Sequence, residues 1–285
     1  MAINVLKKIL KENMNSIRTT QCKHGKFSYF TNDTIIGKSL DLYGEYCEQE
    51  FTVMEHIIKP TDYILDIGAN IGLHTVWFAK HAFQGHVSSF EPNEFNRELL
   101  IMNLRQNLTS NVEVYTNVIG NSISSCFISS YSPHIPGNYG ECTVLLNKKG
   151  PAQAAQMVSI DALKPAKCDF MKIDVEGYEI EVLKGAEQTI DKFKPNMLIE
   201  VNASKKHIEF LWNSLIKRDY LLWWLPVRNY NPNNYRGNRS NVFLNSGVIN
   251  IIACHREKAH CDILDKALNP VMSETDTYEK MHQRL

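Results

Sequence analysis

The sequence carries no excess of charge of either sign. Over 285 residues, 31 lysines and arginines balance 31 aspartates and glutamates. Proteins dedicated to nucleic acid or to anionic membrane surfaces present a basic surplus, so neither partner is expected. Long hydrophobic runs are missing as well, and nothing approaches the roughly 20 apolar residues needed to cross a bilayer. At the start of the chain Lys7, Lys8 and Lys11 alternate with Val5, Leu6, Ile9 and Leu10. That stretch reads as an amphipathic helix. Its apolar run is too short for a signal peptide, and no small-residue cleavage site follows. Paired cysteines are absent too: Cys22, Cys47, Cys126, Cys142, Cys168, Cys254 and Cys261 are odd in number and never spaced C-x-x-C. This disfavours both a zinc site and a disulfide framework, and the thiols read as reduced ones in a cytoplasmic protein. Repeats and low-complexity tracts are also lacking.

What is present is alternation. Short apolar runs at 63–67, 87–90, 112–115, 170–173, 197–201, 220–225 and 248–253 read as strands. Helical patterns separate most of them, which predicts an α/β domain with a largely parallel, doubly wound sheet covered on both faces. Residues 1–55 are expected to form a helical extension, stopped at Pro60. The main domain is expected over 56–256 and a tail over 257–285. Two interruptions lie near 121–160 and 226–246, the first with possible short strands at 126–130 and 142–146. The second, rich in Asn, Arg, Pro and Tyr, has the composition of a binding loop.

Residues 62–72 read Asp-Tyr-Ile-Leu-Asp-Ile-Gly-Ala-Asn-Ile-Gly. An apolar run ends in Asp66, a turn carries Gly68 and Gly72, and a helical pattern follows. This is the strand, turn and helix start on which α/β folds hold nucleotide-like ligands. Here again an absence informs. A dinucleotide fingerprint needs glycine where Asn70 stands, so a nicotinamide cofactor is disfavoured. Glu91, before Pro92 at the end of the second strand, is placed to accept hydrogen bonds from both hydroxyls of a ribose.

A third segment is the most specific: Asp169-Phe-Met-Lys-Ile-Asp-Val-Glu-Gly-Tyr-Glu-Ile-Glu-Val-Leu-Lys-Gly-Ala186. Together with Asp66-Ile-Gly-Ala-Asn-Ile-Gly72, Glu91-Pro92 and Ile199-Glu200, it resembles the FkbM-type S-adenosylmethionine (SAM)-dependent methyltransferases over roughly residues 43–202. The resemblance implies the class I methyltransferase (Rossmann-like) fold. That fold has seven strands in the order 3-2-1-4-5-7-6, mostly parallel, with strand seven antiparallel. It implies SAM as cofactor and, for many members, O-methylation of sugars or glycosylated products. It also implies that Tyr43, Gly44 and Glu45 close over the methionine end of SAM, and that Asn117 and Val118 meet its adenine. Methylation of an exocyclic base amine is disfavoured, because Asp174-Val175-Glu176-Gly177 stands where an Asn-Pro-Pro-aromatic motif would be. Cys168 has no adjacent proline, which disfavours cytosine C5 chemistry.

A hydroxyl acceptor needs a base or a metal, since it is a poor nucleophile until its proton leaves. Ligands lie at the carboxyl ends of the strands, where Asp174, Glu176 and Glu200 are expected to share a rim. One of the three is expected to take the proton, directly or within a magnesium or manganese site. Asp174 would also face the methionine moiety, and Glu176 alternatively caps the following helix. His74 is a candidate for the methionine carboxylate or for the base, or is an ordinary helix residue. Lys172 within strand four needs an acid partner, Asp66 or Glu200. Asn138, Tyr139, Tyr230, Asn234, Tyr235 and Asn241 are candidates for a glycan or small-molecule acceptor, by amide hydrogen bonds and ring stacking, or are turn residues. Methylation of nitrogen or carboxyl groups, or SAM binding without catalysis, are the competing readings.

Overall fold

The apolar runs become strands because each can be buried on both faces. In the computed structural model, which describes residues 16–145, 147, 150–201, 205–258, 264 and 268–270, the chain opens with a hairpin of β1 (Ile17–Cys22) and β2 (Gly25–Phe30). Helices α1 (Ile36–Tyr43) and α2 (Glu48–Met54) follow, then β3 (Tyr63–Ile67), α3 (Leu73–His81), β4 (His86–Phe90), α4 (Glu94–Gln106) and β5 (Val112–Tyr115). An inserted stretch holds β6 (Val118–Ile119), β7 (Ser124–Ser129), β8 (Val144–Leu145) and β9 (Ala152–Val158), ending in α5 (Ile160–Leu163). The second half runs β10 (Phe170–Ile173), α6 (Glu179–Lys184), α7 (Glu187–Phe193), β11 (Asn196–Glu200) and α8 (Lys205–Ile216). It closes with β12 (Tyr220–Arg228), β13 (Gly247–His255) and β14 (Asn269–Pro270).

The main sheet has the order β14-β12-β13-β11-β10-β3-β4-β5. Strands β11, β10, β3, β4 and β5 are mutually parallel, and β13 runs antiparallel to both neighbours. Apart from the two-residue edge strand β14, this is the seven-strand order that the resemblance implies. The chain leaves β3 toward β4 on one side and later returns to β10 on the other. The gap at their carboxyl ends is where such sheets take ligands.

Alternation along each strand builds the two cores. Trp224, Met171, Ile173 and Ile199 pack on one face with Val182 and Leu211 from the helices. Trp223, Phe170 and Ile252 pack on the other with Phe51, Trp77 and Phe78. Each such side chain contributes about 1.5–3 kcal/mol of burial. Asn93 starts α4 by accepting from the amides of Phe95 and Asn96, so the Glu91-Pro92 turn leads directly into a capped helix.

Three expectations change. The leader is not wholly helical: β1 and β2 form a hairpin, and Asn103 of α4 pins it, accepting from the Ser28 amide and donating to the Ser28 carbonyl. The amphipathic helix expected at the start, and most of the 257–285 tail, lie outside the described residues. The first insertion is a small sheet of its own, ordered β6-β9-β7-β8. Its longest strand, Ala152–Val158, reads as Ala-Gln-Ala-Ala-Gln, a helix-forming composition that pairing with β7 overrides. The second interruption is shorter than expected, since 226–228 extend β12. Among the described residues, no helix is long and apolar enough to cross a membrane.

Candidate active site

The turn after β3 is shaped by what it must avoid. Gly68 has φ +82°, and a Cβ there would lie 1.8 Å from the Asp174 carbonyl oxygen. Only glycine lets the first turn and the end of β10 approach this closely. Asn70, at φ +51°, follows, and Gly72 precedes α3. Together the carboxyl ends of β3, β4, β10 and β11 and the amino end of the antiparallel β13 open a cavity of about 310 Å³.

Asp66 does not line that cavity. It is wholly buried beneath the turn, where one oxygen accepts from Thr75 Oγ1 at 2.6 Å and the other lies 4.0 Å from Lys172 Nζ. Its work is to hold the turn, a correction to its expected place against the cofactor. Gly72 also stands outside the wall, whereas Gly68, Asn70 and His74 are part of it.

Glu91 reaches the cavity from the end of β4. Its carboxylate accepts from the Asn70 and Asn93 amides, both at 2.8 Å. Burial nevertheless pushes its pKa up to about 7, with the two amide bonds opposing the rise. Pro92, Asn117 and Val118 extend the same wall, with Phe90 and Ile119 beside them.

The expected acid rim forms. Single oxygens of Asp174, Glu176 and Glu200 lie within 4.8 Å of one another. Lys172 Nζ is 2.8 Å from Asp174 Oδ2, so the lysine pairs with Asp174 and Asp66 rather than with Glu200. Burial works against the Asp174 charge, but Lys172 and a hydrogen bond from Glu200 outweigh it and hold the carboxyl below its usual range. Burial and the Asp174 charge raise Glu200 far above its own, so Glu200 keeps the proton that the pair shares. Burial first, then Asp174, Glu141 and Glu179, push Glu176 up to about 7. An oxygen-only trio is the kind magnesium or manganese takes. Without a cation, Lys172 compensates Asp174, and Glu200 beside it is placed to share a proton with it. The cap over the loop comes from Glu179, not Glu176: it accepts from the Gly177 amide at 2.9 Å.

The remaining candidates separate. Asn138 lines the cavity, while Tyr139 is buried and stacked on Tyr131 at 4.1 Å. Tyr43, Gly44 and Glu45 lie outside it and fasten the 229–246 loop instead. Tyr43 Oη donates to the Ser240 carbonyl, and Glu45 accepts from Asn231 Nδ2 and the Tyr235 amide. A Cβ on Gly44 would meet the Tyr235 ring at 2.8 Å. Tyr230 packs on Tyr43, Asn234 bonds within the loop, Asn241 bonds to the Leu244 carbonyl, and Tyr235 is half exposed. None of these four lines the cavity. The loop's ends do: Asn229 and Ser246 stand in the wall, as do Asn250 of β13 and Tyr46, Cys47 and Glu50 of the leader. The buried acids Glu48 and Glu50, on a helix otherwise packed through Phe51, Val53 and Met54, were the sequence signal for that side.

Comparison with known proteins bears on the same segments. The family model of the methyltransferase FkbM domain matches residues 66–222. The chain is 27% identical to the methyltransferase sdnD of Sordaria araneosa over a 173-residue alignment, covering 48% of this chain and 65% of that one. It is 24% identical to methyltransferase 1 of Beauveria bassiana (strain ARSEF 2860) over 164 residues, covering 50% and 66%. The match thus spans just under two thirds of the length of these relatives. A solved methyltransferase FkbM from Methylobacillus flagellatus KT superimposes with a TM-score of 0.49 at 19% identity, over 68% of this chain and 44% of that one.

Proposed function

The chain belongs to the FkbM methyltransferase family, and from that membership we propose that it transfers a methyl group from SAM to a hydroxyl of a sugar or glycosylated small molecule. The observation that carries this reading is one cavity joining a nucleoside-type wall, Glu91 with residues 117–119, to the carboxyl rim of Asp174, Glu176 and Glu200. Its volume falls within the roughly 300–1,000 Å³ of small-molecule sites. A buried carboxylate at the ribose position and a glycine turn at the wall fit the cofactor.

When bound, SAM supplies an electrophilic methyl group on a sulfonium. The rest falls to this chain. Glu91 accepts from the ribose hydroxyls, and residues 117–119 flank the adenine. Asp174, fixed by Lys172, keeps a negative charge at the rim, while Glu200 donates to it. Glu176 is the base, because a carboxyl near 7 is matched to taking a proton at neutral pH. Asn229, Ser246 and Asn250 offer amide and hydroxyl partners to the acceptor. Holding the acceptor oxygen in line removes up to about 7–11 kcal/mol of the barrier.

One observation favours a second reading. Six carboxyl side chains line the cavity (Glu50, Glu91, Glu141, Asp174, Glu176 and Glu200) against two basic ones, Lys172 and His74. That surplus suits an amine acceptor. Turnover of methyl-labelled SAM against a panel of glycosides, aglycones and amino compounds, with mass spectrometry of the products, separates the two. Methyl–oxygen products support the first reading. Methyl–nitrogen products alone replace it with the second, and no product from a protein that binds SAM leaves a binding module.

A further inference from the structure

The ladder between β12 and β13 closes on Asn229. Strand pairing ends with Arg228 opposite Gly247, and one residue further on the Asn229 amide donates to the Ser246 carbonyl at 3.1 Å. The two chains approach closely there, since a Cβ on Gly247 would lie 2.2 Å from the Val227 carbonyl oxygen. The side chain is held as well, with Nδ2 donating to Ser246 Oγ at 3.0 Å. Backbone and side-chain N–H groups are thus both engaged, and the carboxamide is fixed. Its oxygen is in a different position. Asn229 is only 7% exposed, and its Oδ1 is buried with no hydrogen-bond partner among the described residues. A buried acceptor left unmet costs about 1–3 kcal/mol. Asn229 lines the cavity, so a donor on a bound molecule would remove that cost.

The surrounding groups narrow the kind of donor. Asn138, Asn229 and Asn250 bring carboxamides to the wall, and each Nδ2 already donates within the protein: to Glu141 at 2.9 Å, to Ser246, and to Glu50 at 2.8 Å. The two basic side chains of the wall lie against acids, Lys172 2.8 Å from Asp174 and His74 2.6 Å from Glu50. What the wall presents to a ligand is therefore chiefly acceptors, Asn229 Oδ1 among them. A sugar hydroxyl both donates and accepts, whereas an ammonium has three N–H groups and accepts nothing. A wall with its amide donors engaged and an excess of carboxyl groups suits the ammonium.

Resting on the reading of methyl transfer to a hydroxyl, we infer that the acceptor is an amino sugar or its glycoside, whose ammonium donates to Asn229 Oδ1 while the hydroxyl to be methylated faces Glu176. The carboxyl surplus then keeps the amine protonated, and a protonated nitrogen has no lone pair with which to attack. The methyl group goes to oxygen instead. An O–C bond forms as the C–S bond breaks, the electron pair goes to sulfur, and the hydroxyl proton passes to Glu176.

The test uses the whole protein, methyl-labelled SAM, and methyl glucosides in which a single hydroxyl at a time is replaced by an amine or by an acetamide, with mass spectrometry to place the methyl group. At one or more positions the wild type is expected to favour the amine over both the parent glucoside and the acetamide, by about tenfold or more in kcat/KM, with the methyl group on oxygen. In Asn229→Ala that preference should fall about tenfold, while affinity for S-adenosylhomocysteine by calorimetry stays within about twofold. Asn229→Asp, of the same shape, should keep the preference; it carries the test if Asn229→Ala does not fold, and a lost preference there counts against the assignment. Transfer to oxygen with no preference for the amine, or a loss in Asn229→Ala that is equal for amine and parent, overturns this inference and leaves the hydroxyl reading standing. Methyl–nitrogen products, or no product from a protein that binds S-adenosylhomocysteine, overturn the hydroxyl reading with it.

Discussion

The ammonium of Lys172 lies 2.8 Å from Oδ2 of Asp174, and this pair ties the floor of the cavity to its rim. The same ammonium stands 4.0 Å from Asp66 Oδ1, a buried oxygen with no hydrogen-bond partner among the described residues. One buried cation thus serves two carboxylates, one under the glycine turn and one at the cavity rim. Lys172→Met is expected to leave both acids uncompensated and to cost about 3–5 kcal/mol, read by denaturant unfolding. A variant as stable as the wild type would mean that the acids are neutral in the folded protein.

Glu91 is expected to govern cofactor affinity. Glu91→Ala removes the acceptor for two backbone amides and for the ribose, a set of charge-assisted bonds worth about 1.5–3 kcal/mol each. S-adenosylhomocysteine should bind about 10- to 100-fold more weakly by calorimetry. Unchanged affinity would remove the nucleoside from this wall.

What could be read from the sequence followed from local rules. Parallel strands buried on both faces give apolar runs, so 63–67 and 170–173 were visible as strands. The turn was visible because Gly68 and the Asp174 backbone leave no room for a Cβ. The hairpin at Ile17–Cys22 was hidden, since Arg-Thr-Thr-Gln has the polarity of a loop and its pairing depends on Asn103 far along the chain. Asp66 ends its strand like a ligand-binding acid. Its true partners, Thr75 and Lys172, are set by helix and sheet packing. The amide-rich loop misled for a related reason: Asn and Tyr serve turns and ligands equally well. Asn234 bonds inside the loop and Tyr230 packs on Tyr43, while Asn229 and Ser246, at the loop's ends, meet the cavity.

Tyr43 is expected to matter for the loop and not for the cofactor. Its hydroxyl donates to the Ser240 carbonyl at 2.7 Å and accepts from the Val242 amide at 3.1 Å, outside the cavity wall. Tyr43→Phe should weaken the loop by about 0.5–1.5 kcal/mol for each bond lost. Limited proteolysis within 229–246 should quicken, with affinity for S-adenosylhomocysteine unchanged. Slower cleavage, or a loss of cofactor affinity, would contradict the separation of latch and cavity.

The raised carboxyls set the pH dependence of the ligand-free protein. Burial lifts Glu91 and Glu176 from 4.5 to about 7 in the folded state. Below about 4.5 both folded and unfolded chains hold these protons, and the contribution to stability is complete. Between 4.5 and about 7 the folded chain keeps protons that the unfolded chain releases, so stability falls as pH rises. Above that range the loss is constant. Asp174 acts with the opposite sign and only at lower pH, where its carboxylate gains a proton. His207, which burial lowers to about 4, works the other way below about 6.5, so thermal unfolding should show a declining melting temperature between about pH 6.5 and about pH 8. Glu176→Gln removes one of the contributing groups together with its repulsion from Asp174. It should flatten the decline and melt higher than the wild type at about pH 8, while transfer to a hydroxyl is lost. A variant with an unaltered slope would assign the pH dependence to the other raised carboxyls, Glu91 and Glu200 among them, and would deprive Glu176 of the poise that makes it the base.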